Sequence, residues 1–179
     1  DNNYRYSVKL AEFALKHDKR FIYASSAATY GSGSLGFADD ESQLEKLVPL
    51  NMYGYSKQLF DLWVKNEGLL NRVVGLKYFN VFGPNEWHKG RMASAILHIL
   101  PTAMKDRVIR LFKSSDPKHF SDGGQKRDFV YVKDVARITC DFLRNDAKGI
   151  YNVGSGTAST WNQLATAVLQ ALDLPPRIE

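Results

Sequence analysis

Tyr53 and Lys57 stand four residues apart in the stretch YGYSK. On an α-helix this spacing puts both side chains on one face, with Cβ atoms about 6 Å apart. A free phenol has a pKa of about 10 and is a poor base at neutral pH, but a fixed ammonium beside it favours the phenolate. The pair can therefore exchange a proton with the hydroxyl of a carbinol. Taken alone, the spacing is more typical of a solvated Tyr–Lys pair on a helix surface.

Two hydroxyl residues, Ser25 and Ser26, follow a short run rich in aromatic and β-branched residues that predicts a buried strand over Arg20–Ser25. In open α/β sheets, ligands bind beyond the carboxyl ends of the strands. A hydroxyl placed there can hydrogen-bond a substrate oxygen and stabilise a developing alkoxide or carbonyl. The alternative is that both serines only cap the turn after the strand.

The elements that must position these groups alternate between strand and helix along the chain. Apolar periodicity and capping residues predict five helices, over Tyr4–Leu15, Asn51–Asn66, Met92–Met104, Lys133–Arg144 and Thr160–Leu172. Five strands are predicted, over Arg20–Ser25, Val73–Phe79, Val108–Phe112, Phe129–Val132 and Gly149–Val153. Pro101 is expected to kink or end the third helix, and Thr160 with Gln163 predicts a capping box for the last. This order predicts an α/β fold built on a doubly wound, mostly parallel sheet.

The chain opens on a predicted helix, with no Gly-rich strand–turn–helix ahead of it. We therefore expect the N-terminal part of a Rossmann-like fold to be missing, which makes the chain a poor dinucleotide binder by itself. Residues 1–84 are expected to be the C-terminal part of the NAD(P)-binding domain. Residues 85–179 are expected to be mostly a small α/β substrate-binding lobe, with Rossmann elements returning around 127–153.

Composition limits the class of protein. The net charge is +5, but Lys and Arg are spread along the chain, which argues against a nucleic-acid partner and suits an anionic small molecule. No apolar run is long enough to span a bilayer. The only cysteine, Cys140, cannot form an internal disulfide, which fits a reducing, cytoplasmic setting, and we expect it to be buried. No metal site is expected.

Four blocks of the sequence carry a family resemblance: FIYASSAATYG, NMYGYSK, GLKYFNVFGP and RDFVYVKDVA, in that order. Together they resemble the extended short-chain dehydrogenase/reductases that act as sugar-nucleotide epimerases, dehydratases and reductases. The DNNY opening, YASSAATYG and HKGRMAS are most similar to the branch that epimerises a nucleotide-activated heptose at C6. The resemblance implies a nucleotide-sugar substrate, NADP (or NAD) as cofactor, transient oxidation and re-reduction, and a homo-oligomer.

The resemblance also implies roles for individual positions. Those that match the family's catalytic residues are Ser26, Tyr53, Lys57 and Lys89. Those that match cofactor contacts are Asn2, Lys57, Val81 and Lys89. Those that match substrate contacts are Asn80, Arg91, His98, Phe112, Lys113, Ser114, Ser115 and Arg127. Two features depart from the heptose branch: Arg91 replaces a small hydroxyl residue, and His119–Gln125 resembles an insertion.

Several of these residues, and the activity itself, allow other interpretations. A solvated lysine at Lys89 and a surface or core histidine at His98 are the simpler interpretations of those residues alone, and Arg127 could pair with a neighbouring aspartate. A 4,6-dehydratase needs acidic residues beside the catalytic hydroxyl, where this chain has Ala27 and Ala28. A 4-epimerase or 4-ketoreductase would not need Lys89. A non-catalytic nucleotide-binding scaffold is a third possibility.

Overall fold

The computed structural model of the protein describes residues 3–114 and 116–179. The chain forms two compact units. The first unit comprises Asp1–Phe79 and Val135–Val153, and the second unit comprises Asn80–Asp134 and Gly154–Glu179.

The first unit contains a three-stranded parallel sheet in the order β1-β2-β5, formed by Phe21–Ser26, Val73–Tyr78 and Gly149–Val153. The central strand β2 reads VVGLKY and is buried along almost its whole length, as expected for a parallel strand covered on both faces. Helix α1 (Arg5–Lys16), helix α2 (Met52–Asn66) and helix α4 (Val132–Asp141) complete the strand–helix alternation. The predicted α/β class with a parallel, Rossmann-like sheet is confirmed.

A packed aromatic cluster joins α1, β1 and α2 in this unit. Tyr23 and Phe60 meet edge to face with ring centroids 4.7 Å apart, and Ala11, Val64 and Val73 are buried around them. Gly75 on β2 makes room for Tyr23, because a Cβ at position 75 would lie 2.5 Å from the tyrosine hydroxyl. The glycine thus allows a polar phenol to reach across the sheet toward α2.

The second unit contains β3 (Asn80–Phe82), β4 (Lys126–Tyr131) and β6 (Ala158–Thr160), with β3 parallel and β6 antiparallel to β4. Helices α3 (Ala95–Asp106) and α5 (Trp161–Ala171) share an apolar core. Its buried members are Ala103, Ile109, Ala165 and Leu169. The capping box at the start of α5 is confirmed, since Thr160 Oγ1 accepts from Gln163 N and Gln163 Oε1 accepts from Thr160 N.

Several expectations were wrong in detail. The strand predicted over Val108–Phe112 is reduced to one bridge between Ile109 and Ile178, because its partner is a short C-terminal segment. Helix α3 starts at Ala95, capped by Ser94, and continues through Pro101 to Asp106. The short strands β3 and β6 were not predicted. Cys140 is exposed, because α4 packs against the sheet through other residues. Among the described residues, no helix is long and apolar enough to cross a membrane.

Candidate functional site

Helix α2 carries the Tyr–Lys pair on one face. Its start is set by Asn51, whose side chain accepts a hydrogen bond from Gly54 N at 2.8 Å and satisfies one of the free N–H groups of the first turn. Tyr53 follows and is about half exposed, at 45%. The Lys57 ammonium lies 5.9 Å from the centroid of the Tyr53 ring, within cation–π range. The structure therefore brings the predicted acid/base and its lysine together.

Lys57 is anchored to the strand that leads to Ser26. Its Nζ donates to the backbone oxygen of Ala24 at 2.8 Å. Burial lowers the pKa of the Lys57 ammonium, and the nearby Asp61 carboxylate opposes that shift. An ammonium has three hydrogens, so the bond to Ala24 leaves two of them for ligand oxygens.

Ser26 ends β1 and is largely buried. Its Oγ accepts from Ala28 N at 3.1 Å and caps the 3₁₀ turn Ala27–Tyr30, so the capping role considered from the sequence is confirmed for this residue. Within the described part of the chain, no group accepts from the Ser26 hydroxyl, which leaves its hydrogen for a ligand. Ser25 differs, because its hydroxyl is buried and donates to Asp61 at 2.7 Å.

The turn that follows Ser26 lies directly against the first turn of α2. Gly54, adjacent to Tyr53, is close to the backbone of Ala28, and no side chain fits between them. Together with the Lys57–Ala24 bond, this approach holds the Tyr53–Lys57 face of α2 next to the end of β1. Proton transfer and hydrogen bonding to one substrate oxygen are the chemistry that such a set can perform.

The chain's residues fit one end of a nicotinamide dinucleotide. The two remaining hydrogens of Lys57 suit the vicinal hydroxyls of a ribose. The string GSGSLG, Gly31–Gly36, has the glycine spacing of a dinucleotide-binding loop, but it lies in turns between the 3₁₀ segments Ala27–Tyr30 and Glu41–Lys46. It therefore lacks the strand and helix between which such a loop binds pyrophosphate. Sequence reasoning missed this glycine spacing.

A cavity of about 250 Å³ in the second unit collects three of the predicted positions. Asn80, Val81 and Lys89 line it, together with Phe129 and Trp161. The Asn80 side chain donates to Asp128 O at 3.1 Å, so it also tethers β3 to β4. The cavity combines polar side chains with three aromatic side chains, the third being Phe82, a composition suited to a sugar.

Glu86 organises the loop that carries Lys89. Glu86 is 6% exposed, and its carboxylate accepts from Gly83 N, Ser94 N and Ser94 Oγ at 2.7–3.1 Å. Lys89 Nζ lies 3.9 Å from it, at the outer limit of an ion pair. Burial raises the pKa of the Glu86 carboxyl, but the bonds from Ser94 and Gly83 outweigh burial and hold the pKa below its ordinary value. Sequence reasoning missed Glu86, because an acidic residue after the Gly83-Pro84 turn matches no motif.

The remaining predicted substrate contacts lie outside this cavity. Most of them are exposed, namely Arg91, His98, Phe112, Lys113 and Arg127. Ser114 is half-buried, and its Oγ accepts from Asp116 N and Gln125 Nε2. Arg127 bonds to the neighbouring carbonyl of Lys126. Asn2 and Ser115 lie outside the described residues.

Sequence reasoning also missed Asp61 and Lys77, two charged residues buried behind the Tyr53–Lys57 face. A signal was present for each. Lys77 interrupts the apolar run of β2, and Asp61 stands four residues after Lys57 on the same helix. A charge in a buried strand requires a partner of opposite sign.

Comparison with known proteins agrees with this geometry. The NAD dependent epimerase/dehydratase family matches residues 1–154. A curated relative from Nitratidesulfovibrio vulgaris, "ADP-L-glycero-D-manno-heptose-6-epimerase", is 53% identical over 180 aligned positions, which cover 100% of this chain and 55% of the relative. The chain thus spans about half the length of the curated relatives it matches.

Two solved structures are also similar. The Helicobacter pylori ADP-L-glycero-D-manno-heptose-6-epimerase superposes with a TM-score of 0.82 at 32% identity, covering 98% of this chain and 53% of that one. A UDP-N-acetylglucosamine 4-epimerase from Methanobrevibacter ruminantium gives a TM-score of 0.81 at 27% identity, covering 99% and 55%.

Proposed function

Because the chain belongs to the NAD dependent epimerase/dehydratase family, we propose that it supplies the proton-transfer residues of a nucleotide-sugar epimerase. The proposed reaction converts ADP-D-glycero-D-manno-heptose to ADP-L-glycero-D-manno-heptose, in the synthesis of lipopolysaccharide core heptose. The observation that supports it most is the Tyr53–Lys57 face of α2 held against the turn that begins at Ser26. The names of the relatives support the choice of sugar.

The proposed cofactor is NADP, with NAD as the alternative. When bound, a nicotinamide dinucleotide accepts a hydride from the substrate carbon and returns it. Lys57 would hold the nicotinamide ribose through its two unused hydrogens, as its half-buried ammonium allows. Val81 is proposed to contact the same group, and Asn2 and Lys89 are the other proposed contacts.

Tyr53 is the proposed acid/base. Its phenolate takes the proton of the C6 hydroxyl as that carbon is oxidised, and the phenol so formed returns it only when the ketone is re-reduced in the same orientation. The half-exposed ring leaves the phenol oxygen open to a ligand. Ser26 donates its free hydroxyl hydrogen to the same substrate oxygen and stabilises the carbonyl. Lys57 keeps a positive charge beside the phenol throughout.

Lys89 is the proposed second proton donor. Inversion at C6 requires the ketone to be re-reduced from its other face, and one base fixed on one side serves two orientations poorly. Lys89 lies in a polar cavity and is itself about half exposed, at 44%, so it can reach a ligand oxygen. The hydrogen bonds from Gly83 and Ser94 to Glu86 limit the movement of the loop that carries Lys89.

The remaining roles concern the nucleotide-sugar. Asn80 is proposed to bind the sugar, since it lines the same cavity as Lys89. Arg127 is proposed to bind phosphate, for which its planar guanidinium is suited. The other proposed contacts are Arg91, His98, Phe112, Lys113, Ser114 and Ser115. We further propose a cytoplasmic homo-oligomer.

The test uses the complete protein with purified ADP-D-glycero-D-manno-heptose. Proton NMR should show the C6 epimer accumulating, with no net change in nicotinamide absorbance, because oxidation and reduction cancel in each cycle. Conversion of UDP-sugars at C4 with no action on the heptose would contradict the proposal.

A UDP-sugar 4-epimerase is the second candidate, favoured by the likeness to the Methanobrevibacter enzyme. The two candidates differ in their need for Lys89. Under the heptose proposal, Lys89→Ala stops epimerisation but still forms the ketone intermediate, whereas a 4-epimerase keeps full activity. The matched control is Lys105→Ala, an exposed lysine that lies outside the cavity and has no proposed role.

A further inference from the structure

Asp61 is fully buried on α2, and its carboxylate accepts three hydrogen bonds from the sheet. Oδ1 accepts from the Tyr23 hydroxyl at 2.9 Å, and Oδ2 accepts from Ser25 Oγ at 2.7 Å and Lys77 Nζ at 2.9 Å. Burial and then the Asp61 charge raise the pKa of the Tyr23 phenol, which keeps its hydroxyl protonated as a donor. Three donors to one carboxylate make a rigid attachment of α2 to the sheet.

Lys77 continues the same network toward Ser26. Its side chain is 1% exposed, and its ammonium also donates to Thr29 Oγ1 at 2.6 Å and lies 5.1 Å from the centroid of the Tyr30 ring. Thr29 Oγ1 in turn donates to the backbone oxygen of Ser26 at 2.8 Å. Lys77 therefore connects β2 to the turn that holds the proposed catalytic hydroxyl.

A buried ion pair is seldom more stabilising than apolar residues of the same volume, because both charges lose their hydration. Ala11, Phe60 and Val64 already pack in an apolar core beside α2 without the ion pair. The charged groups instead add directional hydrogen bonds. Hydrogen bonds fix the orientation of Asp61 and of Lys77, whereas apolar contacts permit sliding.

We propose that the buried Asp61–Lys77 pair is a positioning device that sets Ser26 at a fixed place relative to the Tyr53–Lys57 face of α2. Tyr53, Lys57 and Asp61 follow one another at intervals of one turn, so an attachment at Asp61 fixes the rotation of the other two. The inference rests on the proposed epimerase function. Asp61 and Lys77 are positioning residues, since neither side chain is open to a ligand.

The test is the double variant Asp61→Asn/Lys77→Gln in the complete protein, which removes both charges, keeps hydrogen-bonding groups and leaves no unpaired ion. Circular dichroism and thermal melting establish folding. We expect kcat for the heptose to fall at least about tenfold, because proton transfer depends steeply on the placement of the reacting groups. KM should change less than about threefold, since these residues do not touch substrate.

The control is Val64→Ala, a buried change on the same helix outside the network. It should lower Tm by leaving a cavity, but it should leave kcat within about threefold of wild type. If the double variant and the control lower kcat alike at equal loss of Tm, the pair only stabilises the fold and the proposal is overturned.

A second variant covers a failure of the double variant to fold. Thr29→Val keeps the ion pair and the shape of the side chain but removes the hydroxyl that links Lys77 to the backbone of Ser26. It should lower kcat by at least about threefold at unchanged KM. Wild-type kcat in a folded Thr29→Val protein would overturn the proposal.

A turnover-independent measurement separates this inference from the proposed function. If the wild-type protein does not epimerise the heptose, the proposed function fails, and the network is then tested by amide hydrogen exchange over residues 24–30. Exchange there should be at least about tenfold faster in the double variant than in Val64→Ala. Equal exchange rates would show that the pair does not fix this turn.

Discussion

Gly54 in the first turn of α2 lies so close to Ala28 that a Cβ at position 54 would approach the Ala28 carbonyl oxygen to 2.8 Å. Real Cβ atoms do not come this near to backbone, so any larger residue must push α2 away from the 3₁₀ turn that begins at Ser26. The glycine is therefore required for the distance between two segments that carry proposed catalytic groups.

Gly54→Ala tests that requirement. The helix itself should tolerate alanine well, but relief of the overlap should cost about 1–3 kcal/mol of stability. We expect kcat to fall by about tenfold or more because Tyr53 moves away from Ser26. Steady-state kinetics and thermal melting measure both effects. Leu59→Ala, on an exposed part of the same helix, is the control and should leave kcat unchanged.

Lys57→Met tests the burial of the ammonium. Because the folded-state pKa of Lys57 is lowered, the unfolded chain binds more protons between that pKa and about 10.5, so stability should rise with pH across this window. The Met variant should lack this contribution. The measurement is the free energy of unfolding in urea from pH 8 to 10.5, as the difference between wild type and variant. A difference that does not change with pH would contradict the stated environment of Lys57.

Glu86→Gln tests whether the hydrogen bonds to the Glu86 carboxylate hold the loop that carries Lys89. The variant should lose about 1–3 kcal/mol at pH 7, since charged hydrogen bonds to Gly83 and Ser94 are weakened. The extra free energy of unfolding of wild type over the variant should be present above about pH 4.3, the pKa of this carboxyl in the unfolded chain. It should be lost as the pH falls through the lower pKa that the carboxyl has in the folded state.

Unfolding in urea at pH 7 and pH 3.5 measures the Glu86 effect. The difference in free energy of unfolding between wild type and Glu86→Gln should be smaller at pH 3.5 than at pH 7. A difference that is the same at both pH values would show that the Glu86 charge does not strengthen the hydrogen bonds from Gly83 and Ser94. Asp106→Asn, an exposed acid on the same unit, is the control.

The sequence predicted the parallel sheet and the Tyr–Lys helix because their signals are local. β2 begins with the apolar run Val73–Leu76, and α2 has a capping Asn51 with helical periodicity after it. It could not predict β3 or β6, which are three residues long and exist only through pairing with β4.

The same distinction applies to the site. Ser26 and Tyr53 were identified from motifs, whereas the Asp61–Lys77 pair is formed by residues from two elements that meet only in the fold. The close approach of Gly54 to Ala28 depends on tertiary packing in the same way, and a sequence pattern does not encode it.

The central claim is that the Tyr53 phenol transfers the proton. Its most direct test is the rate of ADP-heptose epimerisation by Tyr53→Phe in the complete protein, followed by proton NMR. The phenol is half exposed and accepts or donates no hydrogen bond within the described residues, so the variant should melt within about 2 °C of wild type. We predict a loss of at least about 100-fold in kcat with cofactor binding retained. Turnover at the wild-type rate by the folded variant would contradict the account.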